Sequence, residues 1–348
     1  MICLVCLLMV ARLLALAASP AAIGPPHADP VDASALRGKV MTGYQGWFRC
    51  PGDAAGMGWM HWSRDSARIA PETLTFEMWP DVSDYAPDTL CVAPGFTHPD
   101  GRQAHLFTSD SATTVLRHFE WMREHSLDGA WVQRFVVGLP GGPADAWYDS
   151  TLRVLGHVRG AATATGRVWA LSYDTAAMPP EGIYEAIVAD WQRLVDGGVV
   201  ADARYLREDG RPVVQVWGFY PGNEHNRITA ETGHRLVDYF AAPGPYQAFL
   251  VGGGTWAWRT EPGPEWQRLF HRFGAYCPWN IGNYSLDEER VAHASMHTWE
   301  DDRRECEAHG VLWLPTVYPG FSWDNLTRQP PGSSNIPRRG GAFLWEQF

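Results

Sequence analysis

The chain has 348 residues, 45% apolar and 19% charged, which suits one large α/β domain and excludes a disordered chain. It carries 28 basic and 39 acidic residues, a formal net charge of −11, with no basic run, so neither nucleic acid nor an anionic membrane is an expected partner. Lys39 is the sole lysine, and the GK[ST] ending of a phosphate loop is missing. There are 18 tryptophans, and aromatic surface on this scale either fills a core or stacks on sugar rings.

In chain order, the first feature is an apolar leader interrupted by Arg12, too short for a membrane helix and ending in Ala15-Leu-Ala17. Residues 1–17 are therefore expected to be a signal peptide and 18–37 a Pro/Ala-rich linker, which predicts a secreted or periplasmic protein. Four cysteines remain after the leader, Cys50, Cys91, Cys277 and Cys306, and their three possible pairings stay open. Lys39–Tyr44 reads as the first strand. Residues 49–108 follow as an aromatic insertion without a helix signal, with a hairpin expected around Thr73–Trp79.

Six more apolar runs follow, at Gly129–Phe135, Val168–Tyr173, Pro212–Trp217, Ala248–Val251, Ala275–Trp279 and Leu312–Val317. They lack polar alternation, as strands buried on both faces do, so a parallel sheet is predicted. Helices fit between them. Ser111 can cap one that buries Val115, Phe119 and Met122, Ile183–Val195 forms a second, and Thr229 starts a third. Ser285-Leu-Asp-Glu288 reads as a capping box that opens a charged helix to about His309. On that helix His293 and His297 would lie on a solvated face, so no metal is expected, and no cofactor motif is present. Alternating strands and helices over residues 38–348 predict a (β/α)8 barrel of the TIM type with seven of its eight strands.

In such a barrel the working residues lie at the C-terminal strand ends. Those ends carry Tyr44, Gln45, Trp47, Gln133, Arg134, Tyr173, Asp174, Trp217, Trp256, Tyr318, Trp323 and Asp324, with His61 reaching in from the insertion. Aromatic rings and amides with few charges suit a neutral polyhydroxylated ligand, so the expected partner is an oligosaccharide or polysaccharide. Asp174 is the candidate catalytic carboxylate, with capping of the next helix as its alternative role. Gly252-Gly253-Gly254 reads as a place of close backbone approach and not as a phosphate cradle.

Met41-Thr-Gly-Tyr-Gln-Gly-Trp-Phe48, His61-Trp-Ser-Arg-Asp65, Trp131-Val-Gln-Arg-Phe135, Pro319-Gly-Phe-Ser-Trp323 and Arg339-Gly-Gly-Ala-Phe-Leu-Trp345 resemble the endo-α-mannosidase-like group. These are the glycoside hydrolase family 71/99-like proteins, often labelled xylosidase/arabinosidase. The resemblance runs from about Gly38 onward and implies a barrel and a glycan substrate. It also implies that Tyr44 and Gln45 match first-strand substrate contacts, that Asp174 helps to bind sugar, and that Tyr318–Asp324 form a seventh-strand loop. The group's two catalytic carboxylates belong to an eighth-strand E-x-x-E-like motif with no counterpart in these residues. The expectation is a glycoside hydrolase-like protein with impaired catalysis, or a non-catalytic glycan-binding barrel.

Overall fold

The computed structural model describes residues 30–225, 228–260 and 263–348, so the leader lies outside the described residues. In chain order the strands are β1 (Met41–Tyr44), β2 (Leu90–Thr97), β3 (Gln103–Phe107), β4 (Gly129–Phe135), β5 (Val168–Asp174), β6 (Arg207–Glu208) and β7 (Arg211–Phe219). They continue as β8 (Phe249–Thr255), β9 (Ala275–Trp279), β10 (Tyr284–Leu286), β11 (Ala292–Ala294) and β12 (Leu312–Trp313). The helices are α1 (Ala112–Glu124), α2 (Tyr148–Thr165), α3 (Pro180–Asp196), α4 (Ala230–Ala241), α5 (Pro264–Phe270) and α6 (Trp299–His309), with short α7 (Asp324–Thr327) and α8 (Ala342–Trp345).

Seven strands pair in the order β1-β4-β5-β7-β8-β9-β12, every neighbouring pair parallel. The result is an open, incomplete (β/α)8 barrel with β1 and β12 at the two ends of the path. Each of the seven apolar runs of the sequence carries a strand of this sheet, although Leu312–Val317 is a strand only over Leu312–Trp313. β5 and β8 are buried along their whole length, as sheets covered by crossover helices require. Ser111 caps α1 by accepting from Thr114 N–H, and Thr229 caps α4 by accepting from Thr232 N–H. The glycines of β8 serve packing. A Cβ on Gly252 would stand 2.5 Å from the Phe273 ring, and one on Gly253 would stand 3.0 Å from Trp217.

Four expectations are corrected. Residues 30–37 are docked and are not a free linker: Val31 N–H donates to Gly166, Leu36 N–H to the Glu208 carboxylate, and Arg207 N–H to Ala33. The insertion's hairpin is β2–β3, while Pro71–Thr73 is a single helical turn. α2 lies between β4 and β5, where no helix was expected. Its face of Val154, Val158 and Ala162 is buried, and Gly166 ends it in the left-handed region at φ 70°. The charged helix begins only at Trp299. The residues before it form the β10–β11 hairpin, whose turn is held by the Asp287 carboxylate accepting from Glu289 and Val291 N–H. Arg290 stands there at φ 62°, which a right-handed helix does not tolerate.

The insertion has its own core of Cys50, Trp59, Trp62, Ile69, Ala93, Ala104 and Leu106. A Cys50–Cys91 disulfide crosses it, while Cys277 and Cys306 are free thiols. Among the described residues no helix is long and apolar enough to cross a membrane.

Candidate active site

Neighbouring residues of a strand point to opposite faces of the sheet, and this alternation divides the expected site residues. Arg134 and Tyr173 face the helices. Arg134 is 3% exposed and donates to both Asp190 carboxylate oxygens on α3, at 2.8 and 3.0 Å, and Tyr173 Oη donates to the same group at 2.9 Å. Tyr44 faces α1, with its hydroxyl 2.9 Å from His118 Nδ1. Tyr85 of the insertion holds the other ring nitrogen of that half-buried histidine, and its partial burial pushes the imidazole down to about 4. These three residues were expected in the cleft and are instead wedges between sheet and helix.

Their neighbours take the inner face. The Gln133 amide donates to the Asp174 carboxylate, whose second oxygen accepts from Ala176 N–H at 2.8 Å. Beneath them Ser172 Oγ donates to Gln215 Oε1 at 2.7 Å. Trp217 follows Gln215 by two residues and meets Trp279 and Tyr220 edge-on, at 5.2 and 5.3 Å between ring centroids. Burial lifts the Asp174 carboxyl to about 6, against the two hydrogen bonds that lower it. Asp174 is therefore both a loop brace and a perturbed acid at a strand end. Ser172, Gln215 and Tyr220 were not selected from the sequence, while Trp279 was read only as a strand end. Two-residue spacing from Asp174 and Trp217 was the signal available for Ser172 and Gln215.

A second wall is aromatic. Trp47 lies parallel to Phe135 at 4.7 Å and to His61 at 4.9 Å, with Trp147 edge-on to His61 and Phe135. His61 adopts φ 64°, a costly conformation for a residue with a side chain. Burial and the nearby Arg49 push its imidazole down to about 4, so the ring is neutral at physiological pH. His61 Nε2 and Trp217 Nε1 are buried without a hydrogen-bond partner among the described residues. Unpaired buried polar atoms of this kind call for an account, and a ligand hydroxyl would supply one.

The remaining expected residues fall outside these two walls. Gln45 is exposed at the end of β1. Trp256 follows β8 and touches His297 edge-on at 5.9 Å. Tyr318 is buried; its hydroxyl donates to the Asn283 carbonyl, and its backbone is clasped by the Gln347 amide. Asp324 is a loop brace, accepting from Gly332 N–H, Ser334 N–H and Ser334 Oγ. Trp323 beside it is 50% exposed. The adjacent Asn325 bonds to Phe76 and Glu77, tying this loop to the insertion.

No protein-family profile matches the chain, and no curated protein matches it in sequence. Solved structures do share its fold. The GH99 endo-alpha-mannosidase of Bacteroides thetaiotaomicron in complex with Bis-Tris propane superposes with a TM-score of 0.59 at 14% identity, over 91% of this chain and 78% of that one. A second structure of the GH99 endo-alpha-mannosidase from the same organism gives 0.56 at 14% identity, over 88% and 78%. The barrel architecture expected from the sequence is thus the architecture of known glycoside hydrolases.

Proposed function

We propose that this chain is a glycoside hydrolase-like protein whose cleft, at the C-terminal strand ends, takes an oligosaccharide or polysaccharide. The observation that carries the reading is the pairing of Gln133 with a perturbed Asp174 on the inner face of a sheet that has the endo-alpha-mannosidase fold. The aromatic wall of Trp47 and Phe135 and the edge-on Trp217–Trp279 pair supply flat apolar faces for sugar C–H groups. Gln133, Asp174 and the unpaired Trp217 N–H supply hydroxyl contacts.

Bond cleavage by a glycosidase needs two positioned carboxylates. Among the described residues, Asp174 has no second acid among its partners or among the groups that shift it. The proposed behaviour is therefore binding with slow cleavage or none. Export fits this reading, because the Cys50–Cys91 disulfide is at home in an oxidising compartment.

The test is calorimetric titration with manno-, xylo- and arabino-oligosaccharides, with reducing-sugar release followed in parallel. Saturable binding that weakens by about tenfold in Trp47→Ala supports the proposal, since a lost aromatic face is worth about 1 kcal/mol or more. Absence of binding across all three sugar series overturns it. Robust cleavage abolished by Asp174→Asn would make Asp174 catalytic and end the binding-only reading.

A further inference from the structure

Far from the cleft, α5 and α6 gather three side chains that bind metals well. His271 follows α5 directly, four residues before β9 starts, while Glu305 and His309 occupy successive turns of α6, which ends just before β12. Helices of βα units return toward the N-terminal strand ends, so the cluster lies at the opposite end of the sheet from Asp174. His271 Nε2 is 2.9 Å from Glu305 Oε1, and His309 Nε2 is 3.5 Å from the same oxygen. The three donor atoms lie within 4.8 Å of one another. The two imidazoles stack face to face, 3.5 Å between centroids and 6° from parallel, and Trp258 presents its ring edge-on to His271.

We propose that His271, Glu305 and His309 form a binding site for a divalent transition metal of the zinc type, which clamps the α5–β9 corner to the α6–β12 corner. Two imidazole nitrogens and one carboxylate oxygen are a zinc donor set, and too nitrogen-rich for magnesium or calcium. Donors about 2.0–2.2 Å from a tetrahedral ion stand about 3.4 Å apart, and the measured 2.9 and 3.5 Å bracket that spacing. Glu305 and His309 are four residues apart on a helix, so their side chains project from one face. The stacked rings hold their in-plane Nε2 lone pairs in separate planes, so taking up the ion requires each imidazole to turn about its Cβ–Cγ bond. All three side chains are partly exposed, which admits the ion from solvent and leaves a fourth position to water.

The clamp has a mechanical purpose. β12 is a two-residue strand at the end of the sheet, paired to β9 only through Leu312–Ala275 and Trp313–Tyr276. Joining the two corners beneath it would fix that end of the sheet.

The test uses the tag-free, metal-stripped chain, titrated with Zn²⁺ by calorimetry and with Co²⁺ by visible absorption. We expect one ion per chain, Co²⁺ bands of tetrahedral intensity, and a higher thermal midpoint with Zn²⁺ present. His271→Ala and His309→Ala should each weaken binding by about 100-fold or more, because loss of even a supporting residue costs 10–100-fold. Glu305→Gln, which keeps the side chain's shape, should weaken it as well, and His293→Ala should leave it unchanged. Circular dichroism of the partly exposed His309→Ala protein separates lost binding from lost folding. Absence of saturable 1:1 binding, or binding as tight as the parent's in both His271→Ala and His309→Ala, overturns the proposal.

Discussion

Asp174 is held by one backbone amide and one side-chain amide, and burial raises its carboxyl to about 6. The consequence for stability has a definite sign. Between about 4, where an unfolded aspartate titrates, and about 6 the folded chain keeps a proton that the unfolded chain has lost. Folding is therefore favoured at low pH, and this contribution fades as pH rises through about 6. Asp174→Asn removes the dependence, so urea midpoints of the two proteins should diverge between pH 4 and pH 8. The variant should gain about 2–3 kcal/mol relative to the parent over that range. Parallel pH profiles would show that Asp174 is not a desolvated acid. Position at a strand end was legible in the sequence for Asp174, Gln133, Arg134, Tyr173 and Tyr44 alike. Facing was not legible, because both sides of a helix-covered parallel sheet are buried and no polar alternation marks the inner one.

Within the β4–β5–α3 unit, Arg134 reaches Asp190 through two hydrogen bonds, and Tyr173 adds a third. All three residues are buried. Taking away the arginine leaves a buried carboxylate with only the tyrosine and the more distant Arg193, 3.8 Å away. Arg134→Ala should therefore destabilise the chain by about 3–5 kcal/mol in urea unfolding, while sugar affinity of the folded fraction stays within about twofold. A small stability loss combined with lost sugar binding would return Arg134 to the cleft. The strands were readable at this scale because apolar runs bounded by turn residues announce themselves. α2 was not, because its Gly-Ala-Ala-Thr stretch has little hydrophobic contrast although Val154, Val158 and Ala162 are buried. The β10–β11 hairpin was read as a helix because its polar run shares composition with α6, and only Asp287's backbone contacts and the left-handed Arg290 separate the two.

At the scale of the whole molecule, the sheet depends on an insertion that belongs to no βα unit. This segment carries His61 onto Trp47 at 4.9 Å, holds His118 through Tyr85, and bonds to Asn325 near the far end of the chain. Its small core is tied by Cys50–Cys91 across a sequence separation of 41. A loop of that length closed by a disulfide is worth about 3–4 kcal/mol, through lost freedom of the unfolded chain. The sequence could not choose this pairing, because Cys50 and Cys91 meet only once β2 and β3 have folded back over the segment that follows β1. Cys50→Ser with Cys91→Ser should therefore lower the thermal midpoint by several degrees, and the same drop should appear when the parent is heated with reductant. Cys277→Ser should change little, because that thiol is free and only partly buried. The double variant should also lose affinity in sugar titrations, since His61 and the ring stack on Trp47 depend on the insertion's shape. If reductant leaves both the midpoint and the sugar affinity unchanged, the insertion is held by its aromatic core alone, and the disulfide contributes neither stability nor a reason for an oxidising compartment.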